Sequence, residues 1–337
     1  MEKPLRALVT GGGGFLGKAI VRQLLKRGAE VTILARSSYP EVEELGAKSL
    51  QLDITKKDGL EDACEGMDVV FHVAALAGVW GPREKYFSIN VEGTRNMLAA
   101  AKAAGVPKFV YTSSPSAVWN GDDEEFITEE DTTYPDEFMT DYPESKAEAE
   151  KLALAANCPE MAVCALRPHL IWGAGDPHLV PRILDRYKRL RIIGDGTNLV
   201  GICHVENGAH AHLLAADRLS PDSVVAGKAY FITDIQPVNM WSWLNLLLER
   251  LEKDPIIRKI SAERAFQLGK LMEWVWKTFN LSGEPFMTRF VARQLSSSHY
   301  YNLSAAQDDL DYEEVVEPKE AFNDMVAYFQ QREAGKK

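Results

Sequence analysis

Residues 10–17 read TGGGGFLG, and this glycine-rich stretch decides the fold that the sequence predicts. An apolar run, residues 5–10 (LRALVT), comes before it, and apolar side chains recur at helical spacing over residues 20–25. A strand, a glycine turn and a helix N-terminus form a cradle for a pyrophosphate, because glycines allow close backbone approach and the helix end supplies N–H donors. The residues expected to bind a dinucleotide here are Gly11, Gly14, Phe15, Leu16 and Gly17.

Short apolar runs alternate with helical patterns through the rest of the first half of the chain. This alternation predicts an α/β fold with a doubly wound parallel sheet of the Rossmann type. Ligands of such sheets bind at the carboxyl ends of the strands. The predicted strands are residues 5–10, 30–34, 50–53, 68–75, 108–112 and 161–166.

The residues that follow the second strand bear on the choice of cofactor. An acidic residue at this point would bind a free ribose 2′-hydroxyl, whereas an arginine accommodates a 2′-phosphate. Arg36 with Ser37 therefore favours NADP(H) over NAD(H), the alternative being an ordinary surface arginine at a strand end. Further contacts expected along the cofactor are Asp53 and Ile54 at the adenine ring, and the small residues Ala74 and Ala75.

A tyrosine and a lysine stand four residues apart in the stretch YPESK, residues 142–146. On a helix this spacing puts Tyr142 and Lys146 on one face, one turn apart. An ammonium beside a phenol favours the phenolate, so Lys146 is expected to lower the pKa of Tyr142 towards the range of a general acid or base. The predicted strand at residues 108–112 delivers Thr112 and then Ser114 to the same edge of the sheet. A solvated helical pair is the alternative that the spacing alone leaves open.

Charge and composition exclude several classes of protein. The 337 residues carry 38 Lys and Arg against 49 Asp and Glu, a net charge of −11, which argues against nucleic acid as a partner. The four cysteines show no metal-like spacing and fit thiols in a reducing compartment. No stretch approaches the roughly eighteen consecutive apolar residues of a membrane span, so we expect a cytoplasmic protein without a transmembrane segment.

Three histidines in the second half invite a metal-site interpretation. They are His204, His210 and His212. Two residues that are two apart on a helix point in different directions, so His210 and His212 cannot face one ion. We therefore expect no metal.

Five motifs follow one another along the chain: TGGGGFLG, HVAA at residues 72–75, INVEGT at residues 89–94, YTSS at residues 111–114, and YPESK. In this order and spacing they resemble the extended short-chain dehydrogenase/reductase superfamily. The resemblance implies that Ser114, Tyr142 and Lys146 form a catalytic triad, with Thr112 beside it. It implies that the backbone near Pro168 holds the nicotinamide amide of the cofactor. It also implies a homodimer, built on the helices predicted at residues 90–104 and 142–157.

The second half is similar to the 3β-hydroxysteroid dehydrogenase-like branch of that superfamily, including bacterial reductases of long-chain olefin biosynthesis. The motifs are ALRPHLIWGAGD at residues 165–176, GDGTNLV at residues 194–200 and GKAYFI at residues 227–232. The resemblance implies an NADP-binding domain over residues 1–176. A smaller α/β lid domain that caps the substrate would cover most of residues 177–332, with segments around 200–232 returning to the Rossmann core. The residues expected near the substrate are Trp80, Ser116, His169 and Trp172.

His169 could act as a second acid or base, but a packing or substrate-shaping role fits the pattern better. Two segments remain to be placed. Residues 118–141 are rich in acidic side chains and are interpreted as a solvated surface insertion. Residues 263–281 carry a broad apolar stripe. That stripe is explained by packing in the lid, by a cover over a hydrophobic substrate, or by a peripheral membrane contact.

The implied activity is NADPH-dependent reduction of the 3-keto group of a 2-alkyl-3-oxoalkanoate, a hydrophobic β-keto acid. Three alternatives stay open at this stage. One is a 3β-hydroxysteroid or sterol-4-carboxylate 3-dehydrogenase, although these usually carry an acid after the second strand. The second is a nucleotide-sugar epimerase or dehydratase, which the apolar stripe disfavours. The third is a non-catalytic NADP(H) sensor, which the intact triad disfavours.

Overall fold

The computed structural model describes residues 3–335, which form strands and helices in alternation. The strands are β1 Arg6–Thr10, β2 Glu30–Ala35, β3 Lys48–Gln51, β4 Val69–His72, β5 Lys108–Thr112, β6 Glu124–Ile127, β7 Ala162–Pro168, β8 Ile171–Trp172, β9 Ile192–Ile193, β10 Leu199–Val200, β11 Cys203–His204, β12 Ala229–Ile232, β13 Val238–Asn239, β14 Lys259–Ile260 and β15 His299–Tyr301.

The helices are α1 Phe15–Lys26, α2 Pro40–Glu43, α3 Leu60–Cys64, α4 Arg83–Tyr86, α5 Gly93–Ala103, α6 Asp141–Ala155, α7 Leu179–Arg186, α8 Val205–Arg218, α9 Met240–Arg250, α10 Ala262–Thr278, α11 Arg289–Gln294, α12 Ser304–Leu310 and α13 Pro318–Ala334. A π-helical turn, Phe87–Glu92, leads from α4 into α5. Short 3₁₀ turns lie at Pro115–Ala117 and Glu129–Asp131.

The largest sheet has seven strands in the order β12-β7-β5-β4-β1-β2-β3. Every neighbouring pair in it is parallel. The strand order reverses direction at β1, so β1 and β4 border the crevice in which such sheets bind ligands. The predicted α/β fold with a doubly wound parallel sheet is confirmed. The third strand, β3, begins two residues earlier than predicted, and β4 is shorter than the run expected for it.

Both faces of this sheet are buried, which is why its strands read as continuous apolar runs. Successive residues of β1 belong to different cores because side chains alternate along a strand. Ala7 and Val9 pack with α1 and α8 on one face. Leu8 packs on the other face with side chains of α5 and α6.

The glycine-rich turn between β1 and α1 has almost no space for side chains. Gly11 adopts φ +67°, a conformation that favours glycine, and its amide donates to the Leu34 carbonyl at 2.9 Å. A Cβ on Gly17 would overlap the Gly11 carbonyl and lie 2.9 Å from the Gly12 Cα. The turn is therefore held tightly between β2 and the first turn of α1.

The acidic segment at residues 118–141 was predicted to be a solvated surface insertion; most of its acidic side chains are exposed, but the segment is also part of a sheet. It contains β6, which pairs with β15 in a second sheet of order β13-β10-β15-β6. Glu124 is buried and accepts from the Tyr301 hydroxyl at 3.3 Å, and burial raises the pKa of Glu124 to about 7. Glu129 accepts from the Phe231 amide at 2.6 Å. These carboxylates anchor the segment, because each satisfies a donor of a neighbouring strand.

The C-terminal part of the chain has its own apolar core, built around Trp172, Trp241 and Trp243. The chain nevertheless returns to the large sheet, since β12 extends it beside β7 and α8 packs on α1. The division into residues 1–176 and 177–332 stays a prediction.

Gly17→Ala should destabilise the protein even though alanine is intrinsically the better helix former by about 1 kcal/mol. The clash with fixed backbone costs about 1–3 kcal/mol and outweighs that gain. Urea denaturation measures the change. As a control, Gly335→Ala places its Cβ at an ordinary 3.6 Å contact and should shift stability by no more than about 0.5 kcal/mol. A Gly17→Ala protein as stable as the wild type would contradict the tight turn.

Candidate active site

One cleft, about 950 Å³ in volume, opens at the carboxyl ends of the large sheet. It brings together residues from distant parts of the chain that the sequence nominated. The predicted residues that line it are Gly11, Gly14, Phe15, Leu16, Gly17, Arg36, Ser37, Asp53, Ile54, Ala74, Ala75, Thr112, Ser114, Ser116, Tyr142, Lys146, Pro168 and His169.

The end of the cleft formed by the glycine turn fits a dinucleotide. A Cβ on Gly11 would come within 2.9 Å of the Ala74 backbone, so this wall has been kept free of side chains. The exposed Arg36 has no ion-pair partner within residues 3–335. Asp53 lies in the same region, where the Thr55 amide donates to its carboxylate at 2.9 Å and lowers its pKa, with Arg36 contributing in the same direction. A free guanidinium at the rim is what a 2′-phosphate would require.

Lys146 fastens α6 to the end of β5. Its ammonium donates to the Thr112 carbonyl oxygen at 2.5 Å and lies 4.5 Å from the centre of the Tyr111 ring. Only 2% of Lys146 is exposed, and burial lowers its pKa to about 7, while the charge of Glu150 acts in the opposite direction. Desolvation thus favours the neutral amine of this lysine, whereas the Glu150 carboxylate, one turn further along the helix, favours the ammonium.

Tyr142 lies one turn before Lys146 and faces Ser114 across the cleft. Burial raises the pKa of Tyr142 above its ordinary value, and a hydrogen bond with Ser114 lowers it in part. The expectation that Lys146 lowers this pKa was wrong, because desolvation is the largest influence on the phenol. The phenol is therefore protonated near neutral pH and able to donate.

Ser114 is held in place by its own turn. Its Oγ accepts from the Ser116 amide at 3.3 Å and lies 2.9 Å from the Ser116 Oγ. Since Ser114 caps the 3₁₀ turn Pro115–Ala117, its hydroxyl is fixed towards the cleft. The Ser114 hydroxyl thus has both the Ser116 hydroxyl and the Tyr142 phenol as neighbours.

A buried ion pair between α6 and β7 was missed by the sequence interpretation. Glu150 is fully buried and accepts from Arg167 at 2.7 Å and 3.0 Å and from the Tyr134 hydroxyl at 2.8 Å. Glu150 stands four residues after Lys146 and eight after Tyr142, so the same helical spacing could have found it. Its carboxylate connects α6 to β7.

His169 lines the cleft and packs edge-to-face on His299, with ring centroids 4.8 Å apart. Its Nδ1 lies 2.6 Å from the Gly201 carbonyl oxygen, so Nδ1 carries the proton. Burial lowers the pKa of His169 well below its ordinary value, and His299 adds to this. A neutral ring held in this way shapes the wall of the cleft.

Two of the residues predicted to contact substrate lie elsewhere. Trp172 is in the C-terminal apolar core, because pairing of β8 with β11 turns its indole towards Asp234, to which Nε1 donates at 2.8 Å. Trp80 is half-buried and does not line the cleft; the Lys277 ammonium lies 5.7 Å from the centre of its ring. The prediction for Trp172 is therefore wrong, and Trp80 contacts α10 instead.

Two of the three histidines considered as metal ligands have other partners. His204 accepts from the Glu206 amide at 3.3 Å, and His212 lies between the Thr112 hydroxyl at 2.8 Å and the Gly208 carbonyl at 2.6 Å. Within residues 3–335, no group of three His, Cys, Asp or Glu side chains is arranged to hold a metal ion.

The apolar stripe of α10 faces outward. Leu271 is 55% exposed, Trp274 59% and Phe279 65%, whereas Gly269 packs against the backbone at Thr288. Packing in the C-terminal apolar core therefore does not account for these three side chains. No helix of the described part of the chain is long and apolar enough to cross a membrane.

Residues 8–258 match the model of the 3-beta hydroxysteroid dehydrogenase/isomerase family. The chain belongs to this family. It is an oxidoreductase of the extended short-chain dehydrogenase/reductase type, and the predicted superfamily and branch are confirmed.

Curated relatives of this family member cover nearly its whole length. It is 43% identical to a 2-alkyl-3-oxoalkanoate reductase of Shewanella oneidensis, over 96% of this chain and 86% of that protein. It is 41% identical to a 2-alkyl-3-oxoalkanoate reductase of Stenotrophomonas maltophilia, over 91% and 94%. A 3-beta-hydroxysteroid dehydrogenase of Mycolicibacterium neoaurum is 33% identical over 96% and 90%.

Solved structures share the family fold. The crystal structure of gox2253 superimposes with a TM-score of 0.77 at 25% identity, covering 98% of this chain and 99% of that one. A UDP-glucuronic acid 4-epimerase from Bacillus cereus, in complex with NAD, gives a TM-score of 0.73 at 20% identity, over 97% and 99%. At this identity the second likeness concerns the fold alone.

Glu150→Gln should cost about 3–5 kcal/mol of unfolding free energy, because it leaves the Arg167 charge buried without a partner. The matched control is Glu148→Gln on the same helix, whose exposed pair with Lys151 should contribute no more than about 1 kcal/mol. Chemical denaturation of both variants measures the difference. Equal stabilities would show that the Glu150–Arg167 ion pair does not stabilise the contact between α6 and β7.

Proposed function

We propose that this oxidoreductase uses NADPH to reduce the 3-keto group of a 2-alkyl-3-oxoalkanoate to the 3-hydroxy acid. The observation that carries the proposal is that Ser114, Tyr142 and Lys146 share one cleft with the glycine turn. The two curated relatives at 43% and 41% identity, both 2-alkyl-3-oxoalkanoate reductases, support the choice of substrate.

In this mechanism the chain supplies orientation and a proton. The nicotinamide, when bound, supplies the hydride to the ketone carbon. Tyr142, whose phenol is protonated, donates its proton to the ketone oxygen. Ser114 donates a hydrogen bond to the same oxygen. Lys146 holds the ribose and stabilises the phenolate that remains.

The choice of NADP(H) is supported by Arg36. It directly follows β2 at the rim of the cleft, and its guanidinium is free within the described residues to bind a 2′-phosphate. Pro168 at the end of β7 lines the cleft where backbone groups can hold the nicotinamide amide.

A hydrophobic substrate is supported by the walls beyond the triad. Trp119, Phe290 and Leu170 line this part of the cleft and offer apolar surface to alkyl chains. A free β-keto acid loses carbon dioxide readily, so an enclosed site that reduces it promptly protects it. The proposed product no longer has that weakness.

A second candidate is oxidation of a 3β-hydroxysteroid or sterol-4-carboxylate. It is favoured by relatives such as the 3-beta-hydroxysteroid dehydrogenase at 33% identity. Assays of the purified protein with NADPH and NADH against a 2-alkyl-3-ketoacid and a 3-ketosteroid separate the two. Preference for the steroid would overturn the proposal.

Two further predictions remain proposals about partners. The exposed apolar face of α10 is what a peripheral membrane contact through residues 263–281 would need. The proposed homodimer would form on the faces of α5 and α6.

Tyr142→Phe should lower kcat by about 10²–10⁴-fold, because the proton donor is lost while the ring remains. NADPH affinity, measured by fluorescence titration, should stay within about twofold of wild type, since the ring and the other residues expected to contact the cofactor remain. Unchanged turnover would remove the proposed role of Tyr142.

Arg36→Asp should reverse the cofactor preference. Loss of a charge-assisted contact and repulsion by the new carboxylate should weaken NADPH binding by at least about tenfold, while NADH binding improves or holds. Arg258→Asp makes the same change of charge at an exposed site away from the cleft and is the control. An unaltered ratio of kcat/KM with NADPH to kcat/KM with NADH would show that Arg36 does not bind a 2′-phosphate.

A further inference from the structure

Two arginines share a single carboxylate oxygen at the wall of the cleft. Arg182 and Arg186 stand four residues apart on α7, so they project from one face of the helix. The Arg182 guanidinium lies 2.9 Å from Glu284 Oε1, and Arg186 contacts the same oxygen. Glu284 follows α10 in the chain, and all three side chains line the cleft.

This cluster carries more positive than negative charge. Burial lowers the pKa of Arg182 below its ordinary value; Glu284 opposes this effect, and the neighbouring Arg186 adds to it. Asp176 does not compensate, because its oxygens accept from the amides of His178, Leu179 and Val180. Asp185 also lines the cleft but is exposed. One planar guanidinium fork therefore has capacity for a second carboxylate.

The cluster lies close to the proposed proton donor. The ring of Tyr86 is 6.2 Å from that of Tyr142, centroid to centroid. Burial is the largest influence on Tyr86 and, together with the charges of Tyr142, Asp141 and Glu284, raises its pKa to about 12. Tyr86 in turn is among the groups that shift Arg182. Arg182 and the Tyr142 phenol thus both lie near Tyr86.

A β-keto acid has its carboxylate two bonds from the ketone carbon. A site that directs the ketone to Tyr142 must also receive a negative charge nearby. The other cations of the cleft are committed elsewhere: Lys146 donates to the Thr112 carbonyl, and Arg36 lies at the rim beyond β2.

We propose that Arg182 and Arg186 bind the carboxylate of the substrate, in competition with Glu284. This inference rests on the proposed function and deepens it, since it explains how a keto acid is selected over a neutral ketone. No bond is made or broken at this site.

The test compares a stable acid with its neutral ester. The probes are a 2-alkyl-3-hydroxyalkanoate, which is the proposed product, and its methyl ester, each titrated into the NADP⁺-bound protein. For Arg182→Gln and Arg186→Gln, acid affinity should fall by about 10–100-fold, as expected for a lost charge-assisted hydrogen bond, while ester affinity stays within about twofold. Arg189→Gln, an exposed arginine in the same region of the chain, is the control and should change neither.

Glu284→Gln should change the affinity for the acid in the opposite direction. Removing the competing carboxylate should tighten acid binding by about threefold or more and leave the ester unchanged. Weaker or equal acid binding by this variant would overturn the competition.

NADPH affinity of each variant, measured by fluorescence, shows that the protein is folded and should equal that of wild type. Equal losses for acid and ester, or a matching loss of NADPH affinity, would overturn the proposal, the latter assigning the arginines to a cofactor phosphate. A wild-type protein that binds neither probe would instead remove the proposed function.

Discussion

The contact between the Lys146 ammonium and the Thr112 carbonyl is the constraint on which the candidate site depends. It joins α6 to the carboxyl end of β5 at 2.5 Å, and both groups are buried. Because of this contact, the residue one helical turn earlier, Tyr142, faces the serine that follows β5. Burying an ammonium is costly, and the structure offsets that cost with a carbonyl, an aromatic ring and the Glu150 carboxylate.

Two pairs of side chains therefore make up the site. Ser114 and Tyr142 line the cleft, and Glu150 and Arg167 form a buried ion pair between α6 and β7. Such pairs contribute little net stability, but removing one partner is strongly destabilising. The pair therefore acts to keep helix and strand in one arrangement, which is what a proton donor aimed at a fixed carbonyl requires.

The features that could be predicted from the sequence are those that depend on short stretches of chain. The glycine turn, the strand ends and the helical spacing of Tyr142 and Lys146 follow from short stretches of chain, and the structure brings these residues to one cleft. Contacts between segments far apart in the chain could not be predicted in this way. Arg182 and Glu284 are about a hundred residues apart, and no local pattern connects them. The position of Trp172 was predicted wrongly. The motif places Pro168, four residues earlier, at the cleft, but pairing of β8 with β11 turns the Trp172 indole away from it.

The most direct test of the account is to follow the hydride. NADPH deuterated at the transferable C4 position is incubated with the wild-type protein and a freshly prepared 2-alkyl-3-ketoacid, and the product is analysed by mass spectrometry and NMR. The account predicts one deuterium at C3 of the hydroxy acid. Product without deuterium at C3, or no reduction of the keto acid at all, would contradict it.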